Sequence, residues 1–128
     1  MVSKLRATRI AERIREVLSE ILITRASDPR LAGISITDVN IDRELSYADV
    51  YVSAIEGSSR AQEVLVGLGH ARGYLRSALA HRIELRAFPR LRFHWDPTFE
   101  RAERIEQLIA SLHAEQVPGP QEETSQDG

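Results

Sequence analysis

Seven arginines fall between residues 60 and 94 of this 128-residue chain, against only two acidic residues. They are Arg60, Arg72, Arg76, Arg82, Arg86, Arg90 and Arg92. A guanidinium group can bind two oxygens of a phosphate through paired hydrogen bonds, so all of these but Arg60 are candidate phosphate ligands. A single surface arginine is more often only solvated, and a genome rich in G and C also favours arginine codons. The cluster as a whole predicts a surface for an anionic partner, and nucleic acid is the first class to consider.

The formal net charge of −2 hides an uneven distribution of charge along the chain. Residues 1–30 carry +3, residues 31–59 carry −4, residues 60–94 carry +5 and residues 95–128 carry −6. An acidic protein can therefore present one strongly basic face.

The elements that must position these arginines begin with a helix predicted over about Ala7–Arg25. Its apolar residues recur at three- and four-residue steps: Ile10, Ile14, Val17, Leu18, Ile21 and Leu22. Pro29 ends it, because proline disfavours helix in the residue before it. Basic residues along one side of this helix are candidates to extend the cationic surface: Arg6, Arg9 and Arg13.

The segment from Arg60 to Ile83 combines a second helical stripe with three glycines. The stripe consists of Val64, Leu65, Leu68, Ala71, Leu75, Ala78 and Leu79. Each glycine costs about 1 kcal/mol relative to alanine in a helix interior, which argues against one plain helix. The sequence therefore predicts two helices that meet at a bend formed by Ala71 and Gly73, with Gly73 at positive φ. Gly67 is predicted to lie in plain helix.

Alternating apolar residues predict three strands. A hairpin with one buried face is predicted from two strands, Ile34–Ile41, with a bulge near Asp38, and Tyr47–Ala54. A third strand, parallel to the second, is predicted within Ile83–Asp96. A short helix follows over Glu100–Leu112. The expected fold class is α+β, with helices packed on one face of a three-stranded sheet.

Several function classes receive no support from the sequence. There is no cysteine, no apolar run of about 20 residues and no glycine-rich nucleotide-binding motif, so we expect no cofactor and no membrane. The four histidines lack a metal-ligand spacing, so no metal site is expected. A single domain is predicted over 1–113, and 114–128 is predicted to be a disordered acidic tail.

The order of these elements, together with five stretches of sequence, resembles the ribosome-binding factor A family of bacterial small-subunit assembly factors. The resemblance covers about Arg9–Leu112 and rests on Arg13–Glu20, Asp28–Leu31, Ile36–Val39 with Leu45–Ser53, Ala71–Ser77 and Pro89–Phe93. It implies a type II KH-like fold in the order α-β-β-α(bend)α-β-α, with Ala71-x-Gly73 in place of the usual GxxG loop.

The resemblance also implies a function. Members bind the free 30S ribosomal subunit and 16S rRNA in the cytoplasm and assist late maturation, including rRNA 5′-end processing and growth in the cold. The family is not enzymatic, and we expect a monomer. The expected RNA-binding residues are Arg72, Gly73, Arg76, Arg82, Arg86, Arg90 and Arg92, extended by Arg6, Arg9 and Arg13.

Two alternatives stay open from the sequence. The chain could be a KH-like protein-interaction module whose basic face binds an acidic protein. Tyr74 could stack on a base or, as we favour, pack against the sheet, and Tyr47 and Tyr51 are similarly ambiguous on the outer face of their strand.

Overall fold

A computed structural model describes residues 1–25 and 28–116, in which the chain forms three α-helices and three strands. The first helix, α1, spans Lys4–Thr24. It begins before the predicted Ala7 because the Ser3 hydroxyl accepts a hydrogen bond from the Arg6 backbone N–H at 3.0 Å and so caps the helix. Its buried stripe contains the predicted residues together with two alanines: Ala7, Ile10, Ala11, Ile14, Val17, Leu18, Ile21 and Leu22.

The strands β1 (Ile34–Ile41), β2 (Tyr47–Ala54) and β3 (Arg90–Trp95) form one sheet in the order β1-β2-β3. β1 pairs with β2 antiparallel, and β2 pairs with β3 parallel, which confirms the predicted topology. The register of β1 shifts between Ile36 and Asp38, so the predicted bulge is also confirmed. β3 is an edge strand, and it contacts the helix that follows β2.

The core lies on one face of the sheet. Alternate residues of β2 are buried, namely Ala48, Val50, Val52 and Ala54. α1 packs mainly against β1, and the second helix packs against β3 and α1. The prediction of helices on one face of a three-stranded sheet is therefore confirmed for these two helices. Their placement leaves the opposite face of β2 and β3 to polar and aromatic side chains.

The predicted bend in the central segment is wrong. After a single 3₁₀ turn at Ser58–Arg60, one continuous helix, α2, spans Ala61–Arg82 and includes Ala71 and Gly73. Neither residue is at positive φ. The physical reason is packing, since the residues that fix α2 on the sheet keep a single helical phase along its length: Val64, Leu68, Leu75 and Leu79, all fully buried. This burial outweighs the modest helix penalty of the glycines.

The third strand is shorter than predicted. Residues 83–89 form a loop between α2 and β3, although Ile83 and Pro89 are buried. Pro89 has no backbone N–H to donate to the sheet, and pairing begins at Arg90, whose N–H donates to the Ser46 carbonyl at 2.9 Å. The loop brings the start of β3 next to the middle of α2.

The chain divides into two compact units, Met1–Asp96 and Pro97–Gly128. α3 spans Thr98–Gln116 in the second unit, so the predicted short helix exists and is longer than expected. The predicted tail, 114–128, begins inside α3, and 117–128 lie outside the described residues. The single domain over 1–113 stays a prediction. None of the helices in the described parts of the chain has the length and apolar character of a membrane span.

Candidate nucleic-acid interface

A cleft of about 570 Å³ lies between α2 and β3. We call it the α2–β3 cleft. Its lining is dominated by arginine and consists of Tyr47, Arg72, Gly73, Arg76, Arg90, Leu91 and Arg92. All of these except Tyr47 and Leu91 are among the residues predicted to bind RNA. Elements distant in sequence therefore place four guanidinium groups around one concave surface.

Two of these arginines are available to a ligand. Arg72 is exposed on α2, with its Cζ atom 5.9 Å from the centroid of the Phe93 ring, and Arg90 is exposed at the first position of β3. Within the described residues, neither guanidinium forms an ion pair or a hydrogen bond to another side chain. Both can therefore donate to an anion without first breaking a hydrogen bond or an ion pair to another side chain.

Arg76 has a structural role that the sequence did not predict. Its Nη2 donates to the Phe88 carbonyl at 2.7 Å, and its Nε donates to the Pro89 carbonyl at 3.2 Å. These bonds connect α2 to the loop that precedes β3. Arg76 therefore holds Arg90 in position. The Nε and Nη2 donors of Arg76 are already used in these bonds.

Arg92 is held by two residues of β2. Its Nε and Nη2 donate to the two carboxylate oxygens of Asp49 at 2.8 and 3.0 Å, and its Cζ lies 4.0 Å from the centroid of the Tyr47 ring. His94 Nε2 also lies 2.7 Å from Asp49 Oδ1, and the His94 ring stacks on Tyr51. The hydrogen bonds from Arg92, followed by that from His94, hold the pKa of Asp49 below its ordinary value, against the opposing effect of burial.

Gly73 lines the cleft without providing a bend. An added Cβ atom would have no heavy-atom neighbour within 4 Å. Arg72 and Arg76 point to one side of the cleft because they are four residues apart on one helix, so regular helical geometry orients them.

The other predicted arginines do not line the cleft. Arg82, at the end of α2, forms an ion pair with Glu20 of α1 at 2.6 Å and so connects the two helices. Arg86 is exposed in the loop before β3, with no side-chain partner among the described residues.

Arg6, Arg9 and Arg13 lie on the exposed side of α1. Arg13 forms an ion pair with Glu16 at 2.6 Å, and Arg9 and Arg13 line a separate shallow depression that also contains Glu12 and Glu16. The structure therefore does not join these arginines to the α2–β3 cleft, and nearby acidic groups reduce their attraction for phosphate.

Sequence reasoning did not identify Asp49 as a partner of the arginine cluster. Its place on the outer face of β2 followed from the alternation of that strand, but its pairing with Arg92 depends on the β2–β3 register, in which the two residues are directly opposite. Tyr74 was also misjudged, since it does not pack against the sheet. It is exposed, and the Arg25 Cζ atom lies 4.7 Å from its ring centroid.

Arg60 proves to be structural rather than part of a cationic surface. Its side chain is only 13% exposed. Its Nη1 donates to the Ala32 carbonyl at 2.6 Å, its Nη2 donates to the Pro29 carbonyl at 2.9 Å, and it forms ion pairs with Glu56 and Glu63. Arg60 thus connects the start of α2 to the loop that follows α1.

Comparison with known proteins agrees with this arrangement. A sequence profile for the family described as ribosome-binding factor A matches residues 6–109. The chain belongs to the ribosome-binding factor A family. The resemblance predicted from the sequence is therefore confirmed, and the match covers most of α1, the whole sheet, α2 and part of α3.

Individual ribosome-binding factor A proteins are similar over most of their length. The protein of Chromohalobacter salexigens is 39% identical over 106 residues, which cover 81% of each chain. That of Staphylococcus carnosus is 35% identical over 112 residues, covering 88% of this chain and 97% of the relative. The crystal structure of ribosome-binding factor A from Thermus thermophilus matches with a TM-score of 0.62 and 28% identity, covering 70% of this chain and 93% of that one.

Proposed function

We propose that this protein binds the free 30S ribosomal subunit through 16S rRNA and assists its late maturation, including rRNA 5′-end processing and adaptation to cold. Two findings support the proposal: membership of the ribosome-binding factor A family and the arginine lining of the α2–β3 cleft. The single observation that carries it is a pair of guanidinium groups, Arg72 and Arg90, at one cleft between a helix and an edge strand, neither of which is ion-paired within the described part of the chain.

The proposed mechanism is binding without catalysis. Arginine contacts to backbone phosphates position a protein on RNA without reading its sequence, so recognition would depend on the shape of the rRNA. A protein that binds one conformation of the rRNA more tightly than another shifts the population toward the first. Such a shift would favour the rRNA arrangement that later maturation steps require.

Co-sedimentation with purified small subunits tests this proposal. The variant Arg72→Glu with Arg90→Glu places two carboxylates in the cleft, where they repel phosphate, and should abolish co-sedimentation. The matched control, Arg6→Glu with Arg9→Glu, makes the same change in net charge on α1, outside the cleft, and should retain most of the binding. Circular dichroism shows whether each variant is folded.

A competition experiment distinguishes RNA recognition from binding to an acidic protein. Purified 16S rRNA added in excess should compete for the protein and reduce its co-sedimentation with small subunits. If rRNA does not compete while the cleft variant still loses binding, the cleft recognises a protein of the subunit, and the RNA-binding proposal is wrong.

A further inference from the structure

The Arg92 guanidinium differs from the other arginines of the α2–β3 cleft because its orientation is fixed on two sides. Asp49 accepts hydrogen bonds from Nε and Nη2, which fixes the plane of the group. The Tyr47 ring lies against one face, with its centroid 4.0 Å from Cζ. Half of the Arg92 side chain nevertheless remains exposed, and it lines the cleft.

We propose that Arg92 is a stacking platform for an unpaired base of single-stranded RNA, an inference that rests on the proposed function. A guanidinium plane stacks on nucleobases, as aromatic rings do. Tyr47 covers one face of this plane and Asp49 holds its edge, so the remaining face is the surface that a base can cover. The bound arrangement is a three-layer stack of base, Arg92 and Tyr47.

Electrostatics argue against Arg92 as a phosphate ligand. A phosphate could take hydrogen bonds only from the Nη1 and Nη2 hydrogens that Asp49 leaves unused, where the guanidinium charge is already neutralised by Asp49 and the carboxylate repels a second anion. Asp49 is further held by His94 Nε2 at 2.7 Å. The Arg92–Asp49 pair carries no net charge and releases no counterion when a neutral base stacks on it.

The same cleft also supplies candidate phosphate ligands. Arg72 on α2 and Arg90 at the start of β3 have no ion-pair partner among the described residues. A nucleotide whose base covers Arg92 can therefore place its flanking phosphates at these two groups. The structure thus assigns two classes of arginine to one site, and the ligand it fits is a single-stranded segment with one splayed base.

Salt dependence distinguishes the two classes. Binding of a short single-stranded oligoadenylate, with one 2-aminopurine as a fluorescent base, would be measured from about 50 mM to about 200 mM salt. Loss of one phosphate contact lowers the slope of log K against log salt by about 0.7 for a single strand. Arg72→Ala and Arg90→Ala should each show this change. Arg92→Ala combined with Asp49→Asn removes the whole ion pair without changing the net charge, so it should leave the slope unchanged and weaken binding about tenfold at every salt concentration.

Two further variants control for charge and for general loss of structure. Arg92→Lys keeps the positive charge beside Asp49 but removes the planar group, so it should lose the change in 2-aminopurine fluorescence that accompanies transfer of the base from its neighbouring adenines to Arg92. Arg30→Ala removes an arginine that is also ion-paired, to Asp28, but lies outside the cleft, so it should change neither the salt slope nor the fluorescence response.

The outcomes are distinct. If the double variant of Arg92 and Asp49 lowers the salt slope as Arg72→Ala does, Arg92 binds phosphate and the stacking proposal is wrong. If Arg92→Lys retains both the affinity and the fluorescence response, a positive charge suffices and the planar platform is again excluded. If the unsubstituted protein fails to bind both this RNA and purified 16S rRNA, the proposed RNA-binding function itself fails.

Discussion

Gly67 of α2 lies directly against Arg30, in the loop that follows α1. A Cβ atom added at Gly67 would come within 2.9 Å of the Arg30 Cβ and 3.3 Å of the Leu31 Cδ2. The first of these neighbours is fixed to the backbone and cannot move aside as the end of a flexible side chain could. This glycine is therefore required for close packing between the loop and α2.

Gly67→Ala should destabilise the protein. The gain in helix propensity, about 1 kcal/mol, is opposed by overpacking, which costs about 1 to 3 kcal/mol in a tight contact. We expect a net loss of about 1 kcal/mol in the free energy of unfolding, measured by urea denaturation. An alanine variant as stable as the parent would show that the loop moves away from α2 at little cost.

Gly73→Ala should have the opposite effect. Gly73 lies within α2 at ordinary helical backbone angles, and an added methyl group meets nothing within 4 Å. Alanine should therefore stabilise the protein by up to about 1 kcal/mol, through helix propensity and a less flexible unfolded chain. Urea denaturation measures the gain. A destabilised Gly73→Ala protein would restore the bend that the sequence suggested.

The two glycines show where sequence reasoning reached its limit. From the sequence alone, alanine would be expected to destabilise the protein at Gly73 and to be tolerated at Gly67, because the sequence suggested a bend at Gly73 and plain helix at Gly67. The glycine spacing revealed that α2 is weak as an isolated helix. It contained no information about the loop at Arg30, which meets Gly67 only through tertiary packing.

Periodic features were predicted well for a physical reason. The apolar stripe of α1 and the alternation of apolar residues in β2 both follow from burial of one face. The spacing of apolar residues along the sequence indicates that face directly. The parallel pairing of β2 with β3 followed from the helical connection between them. The register that sets Asp49 opposite Arg92 could not be predicted in this way, since it depends on where the loop after α2 returns to the sheet.

The sequence identified the arginine cluster but not the different roles of its members. Composition cannot distinguish Arg72, which is free to bind a ligand, from Arg76, which holds the loop before β3, or from Arg60, which is almost buried. Each distinction depends on backbone carbonyls or carboxylates brought together by folding.

Arg60→Ala should destabilise the protein by about 2 kcal/mol. The substitution removes charged hydrogen bonds to the carbonyls of Ala32 and Pro29, each of the kind that contributes about 1.5 to 3 kcal/mol, and water entering the space offsets part of the loss. Thermal and urea denaturation measure the change. The control is Arg86→Ala, an exposed residue without a described side-chain partner, which should stay within about 0.5 kcal/mol of the parent. Equal losses in the two variants would contradict a structural role specific to Arg60.

Asp49→Asn should alter how stability depends on pH. Hydrogen bonds from Arg92 and His94 lower the pKa of Asp49 in the folded protein, so folding favours its charged form. The resulting stabilisation is fully present above the ordinary carboxyl pKa of about 4 and is lost as the pH falls through the lower pKa of the folded state. Asparagine cannot titrate and lacks this contribution at every pH.

Urea denaturation of both proteins at a series of pH values from about 5 down to about 2 tests this expectation. The parent should be more stable than Asp49→Asn at the upper end, and the difference should close as the pH falls. Lowered pKa values at Asp28, Asp42 and Glu56 make both proteins lose stability in acid, so the difference between the two curves isolates Asp49. A difference that stays constant across the range would mean that the charge of Asp49 contributes nothing to folding and that the Arg92 plane is held by Tyr47 alone.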